Sequence, residues 1–415
     1  MTAATYPDID AARLWQRHMS MAEIGATPAG GVHRLALTDE DIEAHRLLSD
    51  WALQRRFSVE LDAIGNMFIR RAGSNASLPP VTSGSHTDTQ PKGGRFDGIF
   101  GVLAAFEALE AIDDAGIETL HPVEVVAWNN EEGSRFIPAC MGSAAYAGAE
   151  PLDAMLARED ANGIPIGDCV EALKAALPEA GTRDFGAPLA AFIEAHIEQG
   201  PELEANGKTI GAVTGMQGYR RFTVTVTGEA AHSGTTPRAR RRDAFVAAMN
   251  MAQELRNAML DDDDVVRFTI GRFAIPGGGI SVVPGQVEFS IDLRHPDTDT
   301  LRELGDRIPE ICNDNAGACE VAANEFINQE PMDFPESIIS AIEAAAVRRG
   351  ISHQRIYSAA GHDARHAAKL CPAGMIFIPC WRGLSHNEAE RAEPEHISAA
   401  SQIITDMLVD LANRT

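Results

Sequence analysis

The sequence predicts a two-domain α/β protein, in which a larger domain on a mixed, mostly parallel sheet is interrupted by a smaller α+β domain. Three observations predict it. Between Val81 and Ala147 short apolar, β-branched runs alternate with helical patterns, as buried parallel sheets require. Residues 375–379 supply another such run near the far end of the chain. Between these regions, Phe222–Thr227 and Val287–Leu293 alternate strictly between apolar and polar residues, the pattern of antiparallel strands with one wet face.

Taken in order, Thr38 reads as a helix cap with Asp41 three residues on, and apolar residues then recur through Trp51 and Leu53. Gly65-Asn66 reads as a turn into a strand at Met67-Phe68-Ile69. Val102, Leu103, Phe106 and Leu109 recur at helical spacing within a helix from Gly101 to Ala115. Val123–Trp128 is a strand. Helical runs from about Asp243 to Leu260 and from Leu301 to Cys312 lie among the alternating strands. Strand–helix–strand–strand–helix–strand over 211–328 is a ferredoxin-like pattern. With junctions at Gly211 and near Gln329-Glu330-Pro331, residues 1–210 and 329–415 form one domain and 211–328 the other.

At 415 residues, the chain is long enough for two or three domains at ~150 residues each. Sixty acidic residues against 35 Lys and Arg leave a formal net charge of −25, which repels phosphate backbones and anionic lipid and argues against nucleic acid or membrane partners. The first residues lack a basic stretch followed by an apolar one, so no secretory signal is expected. The six cysteines have neither CxxC spacing nor the density of a disulfide scaffold. A reducing cytoplasm is the expected location.

The chemistry-bearing residues follow strands. His86-Thr87-Asp88 puts an imidazole and a carboxylate two residues apart, on one side of an extended segment. Gly93-Gly94-Arg95-Phe96-Asp97-Gly98 is a glycine-rich loop with a carboxylate just before a helix. Asn130-Glu131-Glu132-Gly133 sets two carboxylates side by side, costly unless a cation or a proton separates their charges. His196-Ile197-Glu198-Gln199-Gly200 and Leu384-Ser385-His386-Asn387-Glu388 complete the set. His and carboxylate donors are what a borderline divalent cation takes, and in open α/β sheets sites gather beyond the strand ends. Singly, each residue could equally be a helix cap or a satisfied polar side chain.

Together and in this order, the five motifs resemble the M20 metallopeptidase-like family, in the branch of N-carbamoyl-amino-acid hydrolase, β-ureidopropionase and allantoate amidohydrolase. The resemblance covers nearly the whole chain. It implies a zinc-aminopeptidase-like catalytic domain with two divalent ions per subunit (Zn, or Mn, Co or Ni), and a lid domain that also forms a homodimer contact. By the same resemblance His86, Asp97, Glu132, His196 and His386 are the ligands, with Asp97 bridging. Asp88 would orient His86, and Glu131 would be the general base. His232, in Gly228-Glu229-Ala230-Ala231-His232-Ser233, would help bind the reacting carbonyl, and Arg294 would grip a substrate carboxylate through its planar fork of donors. Gln199, Gly361 and His362 match substrate-pocket positions. Ser281 stands where relatives often carry Asn, and it has a shorter reach and one donor fewer.

The reaction implied is hydrolysis of the carbamoyl C–N bond of an N-carbamoyl L-α- or β-amino acid, a small carboxylated amide, to free amino acid, ammonia and carbon dioxide. Allantoate or an N-acyl amino acid is the alternative substrate. Outside this class stand a thiol amidase, for which Cys140 and Cys380 read as lying in apolar surroundings, and a non-catalytic binding protein.

Overall fold

The computed structural model describes residues 5–414, which divide into two compact units. One is built from the residues before Gly215 and from Phe334 onward; the other is Gly215–Asp333.

The first unit is organised on four adjacent parallel strands, in the order Ala373–Ile378, Ala191–Ile197, Val81–His86, Val123–Trp128. Every residue of these four strands is buried, which explains the near-continuous apolar character of 123–128 and 373–378, whereas Val81–His86 buries the polar residues Thr82, Ser83, Ser85 and His86. The flanks are antiparallel: Ile210–Met216 pairs with 373–378 on one side, and Met67–Arg71 followed by Ser58–Leu61 extends the other. The sheet is therefore mixed, with a parallel centre. Helices Ile99–Asp114 and Pro394–Ala412 pack on each other and on the central strands. The first is apolar on nearly all sides and buried from Ile99 to Ile112, even at Glu107 and Glu110. Those two carboxylates are neutralised by Arg13, Arg17 and Arg55, with Arg13–Glu107 at 2.6 Å and Arg55–Glu110 at 2.7 Å.

Thr38 precedes helix Asp39–Gln54, but its hydroxyl donates to the Leu35 carbonyl instead of capping. Asp41 closes the entry turn, accepting from the Leu37 N–H at 2.8 Å.

The second unit has four antiparallel strands in the order Arg267–Ala274, Gln286–His295, Gly218–Thr227, Glu320–Gln329. Helices Ala244–Met259 and Thr298–Asp314 pack on this sheet and on each other. Phe222, Val224 and Val226 point inward with Val287, Phe289 and Ile291, each stabilising by ~1.5–3 kcal/mol on full burial. Asp243 and Asp297 cap the two helices through backbone N–H groups. The unit spans Gly215–Asp333 where the sequence reading expects 211–328, because strand Ile210–Met216 continues through Gly211 and pairs with 373–378.

Candidate metal centre and catalytic residues

Parallel strands deliver their C-terminal ends to one edge of the sheet, and the five expected ligands meet there. His86 ends its strand, Glu131 and Glu132 follow Trp128, His196 lies one residue from the end of 191–197, and His386 follows the strand ending at Ile378. Asp97 closes the glycine loop before helix Ile99–Asp114. Its Oδ1 lies 3.0 Å from His196 Nε2 and 3.7 Å from His86 Nε2, while its Oδ2 lies 3.5 Å from His386 Nε2. Glu132 Oε2 is 3.4 Å from the same His386 nitrogen. Two donor groups result, His86–Asp97–His196 and Asp97–Glu132–His386, each with its donor atoms within 4.8 Å of one another and with Asp97 in both.

The imidazoles are oriented for a cation. His86 Nδ1 lies 2.9 Å from the Asp88 carbonyl and His196 Nδ1 lies 2.8 Å from the Ile197 carbonyl, so both Nδ1–H groups donate to backbone oxygen. Each Nε2 is then turned toward Asp97, the orientation that backing hydrogen bonds give to metal-ligating histidines. His86 Nε2 is buried without a hydrogen-bond partner. An orphaned buried nitrogen beside carboxylates, in a set of only N and O donors, fits a borderline divalent ion.

The electrostatics agree. Burial pushes Glu131 and Glu132 well above the usual carboxylate range, and the neighbouring carboxylates push them further. Burial opposes the charge on Asp97, but the hydrogen bond from His196 and the surrounding imidazoles outweigh it and hold Asp97 well below the usual range. Burial also opposes charge on His196, yet Asp97 raises it to about 9, whereas burial lowers His86 to about 4. Protons thus occupy a cluster whose negative charge a cation can neutralise.

Glu131 Oε2 is 3.5 Å from His86 Nε2, and its Oε1 lies 3.2 Å from Cys140 Sγ. The apolar surroundings expected of Cys140 are absent, because the loop after Glu132 returns this thiol to the carboxylate. The Asp88 carboxylate is 3.6 Å from His86 Nδ1, farther than the Asp88 carbonyl, and instead accepts the N–H groups of Glu131 and Glu132 at 3.1 and 3.2 Å. Gln199 Nε2 donates to Asp97 Oδ2 and Ser385 Oγ, both at 2.9 Å. The His362 ring lies 4.4 Å from that of His196, buried and driven well below its usual pKa by that burial, hence neutral. Gly361 beside it has open space where a Cβ would point.

His232, Ser281 and Arg294 belong to the second unit. His232 is exposed, and its Nδ1 accepts the N–H groups of Gly234 and Thr235 at 3.0 and 3.2 Å, which puts its proton on Nε2. Ser281 is also exposed, and its carbonyl accepts from the Ser233 N–H. Arg294 is bound by Asp292, with Nε to Oδ1 at 2.7 Å, and Arg221 shares the same carboxylate.

Sequence reasoning passed over four neighbours of this centre. Gln90 donates to both oxygens of Glu132, Ser385 donates to Asp97, Glu390 accepts from the Asp97 loop, and Cys140 meets Glu131. Each lies within or within a few residues of a motif, but no spacing marks it. Four of the eight non-glycine residues with positive φ among the described residues, Asn130, Cys140, Gln199 and His386, also sit here. Such conformations cost ~1–3 kcal/mol each and persist where surrounding contacts enforce them.

A parallel-centred α/β sheet with a His and carboxylate cluster at its strand ends defines the class, and the sequence then supplies the family. Residues 83–410 match peptidase family M20/M25/M40, and the chain belongs to that family. It is 38% identical over 409 residues to an N-carbamoyl-L-amino-acid amidohydrolase of Rhizobium meliloti, covering 97% of each chain. It is 34% identical over 398 residues to an allantoate amidohydrolase of Escherichia coli, covering 94% of this chain and 96% of that one. Among solved structures, an amidase of the hydantoinase/carbamoylase family from Burkholderia multivorans superposes with a TM-score of 0.89 at 42% identity, covering 98% of this chain and 99% of that one.

Proposed function

We propose that the protein is a metal-dependent amidohydrolase that cleaves the carbamoyl C–N bond of N-carbamoyl amino acids, giving free amino acid, ammonia and carbon dioxide. The observation that carries this reading is the sharing of Asp97 between two donor groups, which suits a pair of divalent ions bridged by one carboxylate. His86 and His196 would hold one ion with Asp97, and Glu132 and His386 the other. Bound there, the ions supply Lewis acidity toward water and the scissile carbonyl.

The chain's own groups do the rest. Glu131, buried beside His86, accepts a proton from the attacking water and returns it to the departing nitrogen. His232 carries its proton on Nε2 and so serves as a hydrogen-bond donor to the reacting carbonyl. Arg294, oriented by Asp292, pairs with the substrate carboxylate, and Ser281, Gly361 and His362 line the substrate. Gln199 and Asp88 serve this centre as positioning groups, on Asp97 and on the Glu131–Glu132 turn respectively.

The βαββαβ unit acts as lid and dimer contact. Its edge strand Arg267–Ala274 and helix Ala244–Met259 frame a groove of about 600 Å³ lined by Met249, Gln253, Arg256, Phe268, Ile270 and Phe273. Half-exposed Met249 and Val246 on the helix, and Phe273 on the strand, favour a second copy as its occupant. Among the described residues no helix is long and apolar enough to cross a membrane.

A thiol mechanism is disfavoured, because burial raises all six cysteine thiols above their usual value, Cys380 to about 12. Allantoate is the second substrate reading, favoured by the Escherichia coli relative. The test is ammonia release from a panel of N-carbamoyl α- and β-amino acids, N-acyl amino acids and allantoate after loading with zinc, manganese, cobalt or nickel. Turnover of N-carbamoyl α-amino acids above the others supports the reading. Turnover of allantoate alone replaces the substrate, and no metal-stimulated turnover of any panel member overturns the class.

A further inference from the structure

We propose that Glu390, outside the ligand set, is the residue that positions Asp97 as a shared ligand and thereby governs how long the centre retains its metal. The proposal rests on the two-ion reading above.

Glu390 is buried, four residues after His386, whereas Glu388 is only partly buried and accepts from Thr27 Oγ1. Its Oε1 accepts the Phe96 N–H at 2.9 Å and the Asp97 N–H at 3.0 Å. Two consecutive backbone amides are therefore tied to one carboxylate oxygen, which fixes the peptide plane that carries the Asp97 side chain. The second oxygen lies 3.4 Å from Ser385 Oγ, and that hydroxyl is 2.7 Å from Asp97 Oδ2. Gln199 Nε2 reaches both Ser385 Oγ and Asp97 Oδ2. Asp97 is thus held at its main chain by Glu390 and at its carboxylate by Ser385 and Gln199, from segments some hundred to three hundred residues away.

The glycine loop is shaped around this carboxyl group. A Cβ built on Gly94 would lie 2.0 Å from Glu390 Cδ, so the absence of a side chain at 94 is what admits Glu390 beneath the loop. A ligand serving two ions has both oxygens committed and tolerates little rotation. Hydrogen-bonding partners behind metal ligands are worth roughly 10–100-fold in metal affinity.

The experiment is the rate of zinc transfer from the loaded full-length protein to a chromogenic chelator, with melting temperature measured alongside. Glu390→Ala is expected to release zinc at least ~10-fold faster than wild type. Glu390→Gln keeps an oxygen for the two amides and is expected to stay within about threefold of wild type. Gly94→Ala, which changes the identity of neither Glu390 nor any ligand, is expected to release zinc faster because its Cβ displaces the Glu390 carboxyl group. If Glu390→Ala folds and releases zinc at the wild-type rate, or if Glu390→Gln is as fast as Glu390→Ala, the positioning role is wrong. Should Glu390→Ala fail to fold, a wild-type release rate in Gly94→Ala overturns it. A wild-type protein that takes up no zinc at all refutes the metal reading itself, a result distinct from any of these.

Discussion

Gly98 and the ring of His86 occupy each other's space: a Cβ built on Gly98 would lie 2.2 Å from His86 Cε1, and Gly98 has a φ of +67°. The glycine after Asp97 is therefore required twice, by its backbone and by the imidazole packed against it. Gly98→Ala is expected to displace His86 and lower zinc stoichiometry and kcat together, with circular dichroism showing a folded chain. A variant with wild-type metal content and kcat would show that the ring moves aside without consequence.

Glu131 faces the cluster without belonging to either donor group. Glu131→Gln is expected to keep its full metal complement and lose 10²–10⁴-fold in kcat, the usual worth of a positioned base. Elemental analysis beside steady-state kinetics checks both halves, and near-normal kcat contradicts the assignment.

If His232 completes the partner subunit's site, mixing His232→Ala with Glu131→Gln should restore activity that neither variant has. Random exchange of subunits would give about a quarter of wild-type activity, since half the dimers are mixed and each holds one intact site. No recovery after verified subunit exchange means that the site is completed within one chain.

His18 gives a pH dependence separate from catalysis. It is buried between Phe96 and Phe100 with neither ring nitrogen hydrogen-bonded, and burial lowers its pKa from 6.5 to about 3. The folded state disfavours protonation, so the stability contributed by a neutral His18 is fully present above pH 6.5 and is lost as pH falls toward 3. Between pH 6.5 and 5 this amounts to about 2 kcal/mol. His18→Met is expected to lose correspondingly less stability over that interval in urea melts. Parallel losses in both proteins would show that His18 is not the titrating group.

The fold was legible where hydrophobic periodicity was strong. The buried runs at 123–128 and 375–379 and the alternation at 222–227 and 287–293 each became a strand, because burial on two faces or one writes a distinct pattern. The ligand motifs were legible through the order in which all five occur, which resembles one family; taken singly, none of these residues marks itself as a ligand. What surrounds them was not. Glu390 beneath Gly94 depends on how segments far apart in the chain fold together, whereas Cys140 beside Glu131 and the Asp88 carbonyl behind His86 depend on the path a short loop takes, and no local period encodes either. Thr38 shows the same limit at short range, since its hydroxyl donates back to the Leu35 carbonyl and accepts no N–H from the helix it precedes.

The most direct test of the shared-carboxylate centre is metal stoichiometry by mass spectrometry of dialysed protein, compared among wild type, Asp97→Asn and His386→Ala. Two ions per wild-type chain, one in His386→Ala and none in Asp97→Asn are expected, because Asp97 alone serves both donor groups. Equal metal content in wild type and Asp97→Asn would contradict a centre built on Asp97.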